Sequence, residues 1–390
     1  SCASTAARAG APCPRRAELS NWGIVPMIHI MIGTKAQFIK MAPIMRELDR
    51  RAVHFNFIDT GQHAGITGDL IEPFGLREPD IRLRGEKTSI TRLSEALAWT
   101  GASLGRAALR LEGIRRNVFR GEKGVCLIHG DTMTTLLSLL FARRCGIKVA
   151  HVEAGLRSFD LLDPFPEEMI RLIVMRYSDI LFAPSEWACE NLRKMHLEGK
   201  TIHAGGNTIV DTLRFAASRT SGTRPAGSYV VATLHRVETI YSRSRLETVV
   251  ALLERIGRER RVLFVLHEPT RQQLVRRGLY AKLENLPSIE LMPIQPYLTF
   301  LDMLAGADFI VTDGGSIQEE SYYLDIPCLV MRARTERTEG LGTNVFLAGF
   351  HDGKVDYFLR SFPTLRRGSG SRFEDLHPSE VIVDHLIPYA

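Results

Sequence analysis

Thr312-Asp313-Gly314-Gly315-Ser316-Ile317-Gln318-Glu319-Glu320 is the stretch on which the fold turns. It follows Phe309-Ile310-Val311, an apolar run that reads as a buried parallel strand. It then opens a helix expected over 315–325. Two glycines at the junction let a ligand approach the backbone closely. The free N–H groups and positive dipole end of such a helix favour a phosphate. Glu320 lies one turn in, where a carboxylate accepts hydrogen bonds from ribose hydroxyls. The pattern suits a nucleotide-diphosphate site. A plain strand-to-helix turn with a capping acid would read the same, and a short glycine motif alone does not separate the two.

Outward from this point, strand-like and helical stretches alternate. Strands are expected at 27–32, 54–59, 124–129, 148–153, 179–183, 201–204, 228–234, 261–267, 288–293, 309–313 and 327–332. Between them lie stretches of helical length, such as 39–51, 89–118, 132–145, 167–177, 186–197, 244–258 and 315–325. Such alternation of apolar strands with helices predicts an α/β class with parallel, doubly wound sheets. The division of strands about Gly205 predicts two Rossmann-like domains, 27–205 and 206–375, facing across a cleft. Residues 1–26, rich in Ala, Arg, Pro and Ser, lack the apolar core of a secretory signal. They read as a disordered extension, an upstream translation or a remnant foreign to the fold, with Met27 just before the first strand. Arg367-Gly368-Ser369-Gly370-Ser371 reads as a flexible linker.

Further motifs lie along the chain: Gly33-Thr34 with Ile39-Lys40-Met41-Ala42-Pro43, Ile128-His129-Gly130-Asp131-Thr132, His151-Val152-Glu153-Ala154-Gly155-Leu156-Arg157, Pro166-Glu167-Glu168 with Arg171, Gly206-Asn207-Thr208, His235-Arg236 with Glu238, and Thr335-Glu336-Arg337. In this order, over roughly residues 27–350, they resemble the non-hydrolysing UDP-N-acetylglucosamine 2-epimerases. The set is far more specific than any one member. The resemblance implies the GT-B arrangement with the active site between the domains, and a last helix, 376–390, packing back on the first domain. It also implies a cytoplasmic homodimer that acts on a UDP-sugar without a cofactor and feeds polysaccharide biosynthesis. Its reaction would interconvert UDP-GlcNAc and UDP-ManNAc by elimination of UDP and re-addition to a glycal.

No carbonyl adjoins the C2–H bond of such a sugar, so an enolate route is closed. Elimination needs a stabilised leaving diphosphate, acid–base groups that reach C2, and exclusion of water. For the diphosphate, the turn Gly314-Gly315-Ser316 offers backbone N–H groups, and Arg236 and Arg337 offer guanidiniums. His235 ends a strand and should point into the cleft; the resemblance makes it essential. A lone surface histidine is the plainer alternative, but Arg236 and Glu238 beside it favour function. The resemblance assigns acid–base duty to Asp131, Glu153 and Glu167. As structural roles, Asp131 caps a helix, and Glu167 compensates a helix dipole. A buried Glu153 without a partner would be costly. Arg171, one turn beyond Glu167, pairs with it or braces the helix. Gln295, Tyr297 and Phe300 match the loop near uracil and ribose, where Glu320 also belongs. Lys35 and Lys40 stand in the first glycine-bearing loop, within reach of phosphate.

Some positions depart from the family pattern. Lys35 replaces an arginine and loses the bidentate fork. The usual Asp-Ser-Gly-Gly is Asp313-Gly314-Gly315-Ser316, and the usual glycine before the histidine is Leu234. Gln62-His63 is followed by Ala64-Gly65, so the allosteric Gln-His-x-Gln signature lacks its second Gln. The loop Lys35-Ala36-Gln37-Phe38-Ile39-Lys40 is similar to relatives that epimerise diacetamido-uronic acid nucleotides.

Composition sets the outer limits. The 390 residues suffice for two domains; 45% hydrophobic and 24% charged residues are ordinary for a globular protein. No apolar run reaches the ~18–20 residues of a membrane span. The net charge of +6 comes from scattered Arg-rich helix faces, and no aromatic-interleaved basic motif suggests nucleic acid. None of the six cysteines forms a CxxC pair, as in a reducing cytoplasm. No cluster shows metal-ligand spacing and no GxGxxG follows the first strand, so neither metal nor nicotinamide is expected. Besides the UDP-GlcNAc reaction, four alternatives stand: 2-epimerisation of a UDP-diacetamido-uronic acid, hydrolytic release of N-acetylmannosamine, glycosyl transfer, and a non-catalytic nucleotide-sugar sensor.

Overall fold

The computed structural model describes residues 26–62, 68–84, 111–161, 165–219, 224–365 and 375–390. The expectations for 1–25, for most of the 89–118 helix and for the 367–371 linker lie outside the described residues.

Two parallel sheets organise the chain. The first holds β1 (Pro26–Ile32), β2 (Phe55–Asp59), β3 (Ile81–Arg82), β4 (Lys123–His129), β5 (Lys148–Val152), β6 (Ile180–Ala183) and β7 (Lys200–His203) in the order β3-β2-β1-β4-β5-β6-β7. The second holds β8 (Tyr229–Leu234), β9 (Arg261–Leu266), β10 (Ile289–Pro293), β11 (Ile310–Thr312), β12 (Cys328–Val330) and β13 (Val345–Leu347) in the order β10-β9-β8-β11-β12-β13. Each order reverses once, between β1 and β4 and between β8 and β11. Ligands of doubly wound sheets bind at such reversals, beyond the carboxyl ends of the strands.

The strands are buried on both faces, which is why they read as continuous apolar runs. Ile28, Ile30 and Ile32 of β1 pack with Phe38, Met41 and Met45 on one side, while Met31 joins Leu137 and Val174 on the other. Ile382, Val383 and Leu386 of the helix Pro378–Leu386 also lie in the first of these cores, so the end of the chain packs on the first sheet. Val230, Ala232 and Leu234 of β8 centre the core of the second sheet. Two short strands, β3 and β13, escape the sequence reading. The first helix begins at Lys35 rather than 39, because Thr34 and Gln37 form a capping box. Among the described residues no helix is long and apolar enough to cross a membrane.

Candidate active site

The carboxyl ends of both sheets open on a cavity of about 540 Å³. Lys40, His129, Asp131, Glu153 and Glu167 reach it from the first sheet. His235, Arg236, Gly314, Gly315, Ser316 and Arg337 reach it from the second.

At the end of β4, Gly130 takes φ 69° and turns the chain. The helix Met133–Arg144 that follows is capped by Thr132, whose hydroxyl accepts from the Thr135 N–H. Asp131 is therefore not the cap. Its carboxylate faces the cavity and is ion-paired to Arg171. Arg171 also holds Glu168 at 2.6 Å, so the arginine serves Asp131 and Glu168 rather than Glu167, its expected partner. Glu167 opens the helix Glu167–Tyr177. Burial, and next the Asp131 charge, raise its pKa above the usual carboxylate value. A carboxylate acting mainly as a dipole counter-charge would be lowered; the low-polarity setting prevails here, and the group is suited to hold a proton.

Glu153 lies one residue past the end of β5 in the left-handed region, φ 70°. A non-glycine residue there is uncommon and marks a place where the surroundings impose the conformation. Its side chain is buried but well partnered. Oε1 meets Lys40, Asn207 at 2.5 Å and Arg337 at 3.0 Å. Burial works to raise its pKa, yet Arg337 and Lys40 together hold it well below the usual range. His129 Nε2 stands 3.8 Å from the other oxygen.

From the second sheet, the Asp313 carboxylate accepts the backbone N–H groups of His235 at 3.0 Å and Arg236 at 3.1 Å. This fixes the strand end that carries both. The His235 ring packs on His267, centroids 4.9 Å apart. The side chain is 37% exposed; the packing it has, and then Arg236, lower its pKa, which leaves the imidazole neutral at ordinary pH.

The helix Gly315–Tyr323 starts at Gly314 without a side-chain cap, leaving its first N–H groups open for an anion. A Cβ on Gly315 would lie 2.8 Å from Arg337 Nε, so only glycine lets this guanidinium lie against the turn. Glu336 gathers Arg236 at 3.3 Å and Arg332 at 3.0 Å. Burial pushes its pKa up, but the surrounding guanidiniums outweigh that and hold it far below the usual value.

A family model described as UDP-N-acetylglucosamine 2-epimerase matches residues 46–357. The chain belongs to the UDP-N-acetylglucosamine 2-epimerase family. It is 33% identical to the UDP-N-acetylglucosamine 2-epimerase of Methanococcus maripaludis, over 92% of this chain and 97% of that protein. It is 29% identical to the UDP-2,3-diacetamido-2,3-dideoxy-D-glucuronate 2-epimerase of Pseudomonas aeruginosa, over 92% and 99%. In structure it is similar to the Methanocaldococcus jannaschii UDP-GlcNAc 2-epimerase solved with UDP-GlcNAc and UDP. That match has a TM-score of 0.79 and 30% identity, over 93% of this chain and 99% of the other. The two-sheet α/β architecture is the GT-B arrangement of these epimerases.

Within the epimerase fold, five expected contacts, Tyr297 among them, lie apart from the cavity. Lys35 is exposed at the start of its helix. The Gln295 amide donates to the Pro293 carbonyl at 2.8 Å. Phe300 packs against the core under β8. Glu320 is buried, and its Oε1 accepts from the Tyr297 hydroxyl at 2.9 Å. Four other residues carry the site without having been singled out for it: Gln37, Asn207, Glu319 and Glu336. Gln37 donates to the His129 carbonyl at 2.8 Å and to the Thr132 and Thr135 hydroxyls at 3.0 Å, tying the Lys35 helix to the loop of Asp131. The spacing Thr34-x-x-Gln37 signals that clamp. Gln62 accepts from the Thr134 N–H at 2.9 Å; the rest of the incomplete allosteric signature lies outside the described residues.

Proposed function

We propose that the protein interconverts UDP-GlcNAc and UDP-ManNAc. The observation that carries this reading is a single cavity that joins an open helix N-terminus and two guanidiniums to three carboxylates and a neutral histidine. The Gly314 turn with Arg236 and Arg337 suits the leaving diphosphate. Asp131, Glu153 and Glu167 line the same cavity and supply the acid–base groups for C2, with His235 beside the Gly314 turn. UDP leaves from C1 as the C2 proton is removed, giving a glycal. UDP then returns to C1, and a proton is delivered to the opposite face of C2. The units 27–205 and 206–375 are its two halves, working in the cytoplasm as a homodimer that supplies polysaccharide synthesis.

A second reading, a UDP-diacetamido-uronic acid substrate, is supported by the Pseudomonas aeruginosa relative. Charge favours the neutral sugar. Lys40, Arg236 and Arg337 each already contact a carboxylate, so an added sugar carboxylate would compete for them. Incubation with either nucleotide, followed by proton NMR of the anomeric region, tests the proposal. UDP-ManNAc from UDP-GlcNAc is expected; turnover of the uronate alone would replace the first reading with the second.

A further inference from the structure

Glu153 and Glu319 come from different sheets, yet the same three donors join them. Lys40 Nζ contacts Glu153 Oε1 and lies 2.9 Å from Glu319 Oε2. Asn207 Nδ2 lies 2.5 Å from Glu153 Oε1 and 3.0 Å from Glu319 Oε1. Arg337 Nη1 lies 3.0 Å from Glu153 Oε1 and also contacts Glu319 Oε1. Glu319 is fully buried and, unlike Glu153, does not line the cavity. Its surroundings explain its burial energetically: Lys40 and Arg337 face both carboxylates, with Glu336 4.0 Å from Arg337 at the edge, so every charge has a partner.

We infer that Glu319 is a positioning and charge-balancing residue for Glu153. By sharing Lys40 and Arg337 it leaves Glu153 able to take a proton, and it ties the second sheet's nucleotide-side helix to the acid–base end of the first sheet. The inference rests on the epimerase reading, in which Glu153 exchanges a proton with C2.

Removing the Glu319 charge leaves Lys40 to Glu153 alone, and Arg337 to Glu153 and, at 4.0 Å, Glu336. An opposite charge at this range lowers a carboxylate by about 1–3 units, so Glu153 would take a proton less readily. One positive charge beside the cavity would also lose its counter-charge, so an anion would bind more tightly. On the Glu153 side, the other titratable groups are His129, 3.8 Å away, and His151 on β5. Asp131 follows β4 beside them. On the Glu319 side stand Glu320, Glu339, Tyr297 and Tyr323, and Glu336 lies 4.0 Å from Arg337. All of these stay unchanged in the variants below.

The test compares the parent with Glu319→Gln in two measurements. One is the affinity for UDP by calorimetry. The other is the pH profile of C2 deuterium exchange with UDP-GlcNAc. Glu319→Gln should bind UDP roughly threefold to tenfold more tightly and exchange more slowly at pH 7. Its acid limb should move about one unit to lower pH, because that limb follows protonation of Glu153. Glu319→Asp, which restores the charge, should bring the limb back towards the parent's position. Asn207→Asp adds a carboxylate to the same cluster and should move the limb to higher pH, which carries the test if Glu319→Gln does not fold. An unmoved limb in a folded Glu319→Gln, or in Asn207→Asp where Glu319→Gln does not fold, would overturn the inference. A parent that binds UDP but exchanges no C2 proton would remove the epimerase reading instead. The change in UDP affinity would then still decide the charge balance.

Discussion

Arg171, only 3% exposed, is ion-paired to Asp131 across the space between the Glu167 helix and the end of β4. The pair sets the direction of the Asp131 carboxylate, which Thr132 has relieved of capping duty. Arg171→Met should therefore lower turnover by roughly 10²-fold or more, the scale of a misplaced acid–base group. UDP affinity should change little. Breaking a buried pair costs about 3–5 kcal/mol; the substitution uncovers both Asp131, 27% exposed, and the fully buried Glu168, which keeps Arg157. Thermal unfolding and epimerisation rates on the same sample check both parts. Native turnover in a folded variant would show that Asp131 needs no guidance.

Glu320 gives a pH dependence with a definite sign. Burial raises its pKa to about 7. A carboxyl raised above its unfolded value favours the folded state fully below the unfolded pKa. That contribution is lost as pH rises through the folded value. Stability should therefore fall between about pH 4.5 and 7 through this group, by on the order of 3 kcal/mol. Glu320→Gln removes the ionisation, so it should unfold at a higher temperature than the parent at pH 8 and with little difference at pH 4. Equal melting curves at pH 8 would refute the charge argument.

Gly315→Ala tests the anion cradle. Its Cβ would meet Arg337 Nε at 2.8 Å and push the guanidinium off the turn. UDP affinity should fall about tenfold, the loss of roughly one charge-assisted hydrogen bond. Calorimetry with UDP measures this directly, and unchanged affinity would show that Arg337 does not hold the diphosphate.

Much of the fold was legible because its strands are apolar runs between helices of ordinary length. What escaped was local or tertiary. Ile81-Arg82 and Val345-Phe346-Leu347 are too short to show a strand pattern, and the Thr34–Gln37 capping box moved a helix start by one turn. Glu153 read as the end of a strand, whereas it sits in a left-handed turn beyond it. Asp131, Glu153, Glu167 and His235 came from the family resemblance; their places at strand ends or a helix start agree with it but would not have singled them out. Glu320 reads as the ribose contact and Glu319 has no expected role, although Glu319 is the one that meets Lys40 and Arg337. Neighbours on a helix point about 100° apart, and which of them meets Lys40 depends on how the two sheets face each other.

The deciding measurement is incorporation of solvent deuterium at C2 when UDP-GlcNAc is incubated with the protein in deuterated water. The account predicts C2 deuterium in both the remaining UDP-GlcNAc and the UDP-ManNAc formed. Asp131→Asn, Glu153→Gln and His235→Asn should slow this exchange by roughly 10²–10⁴-fold while still binding UDP. Near-parental exchange in those folded variants, or epimerisation in which C2 keeps its original hydrogen, would contradict it.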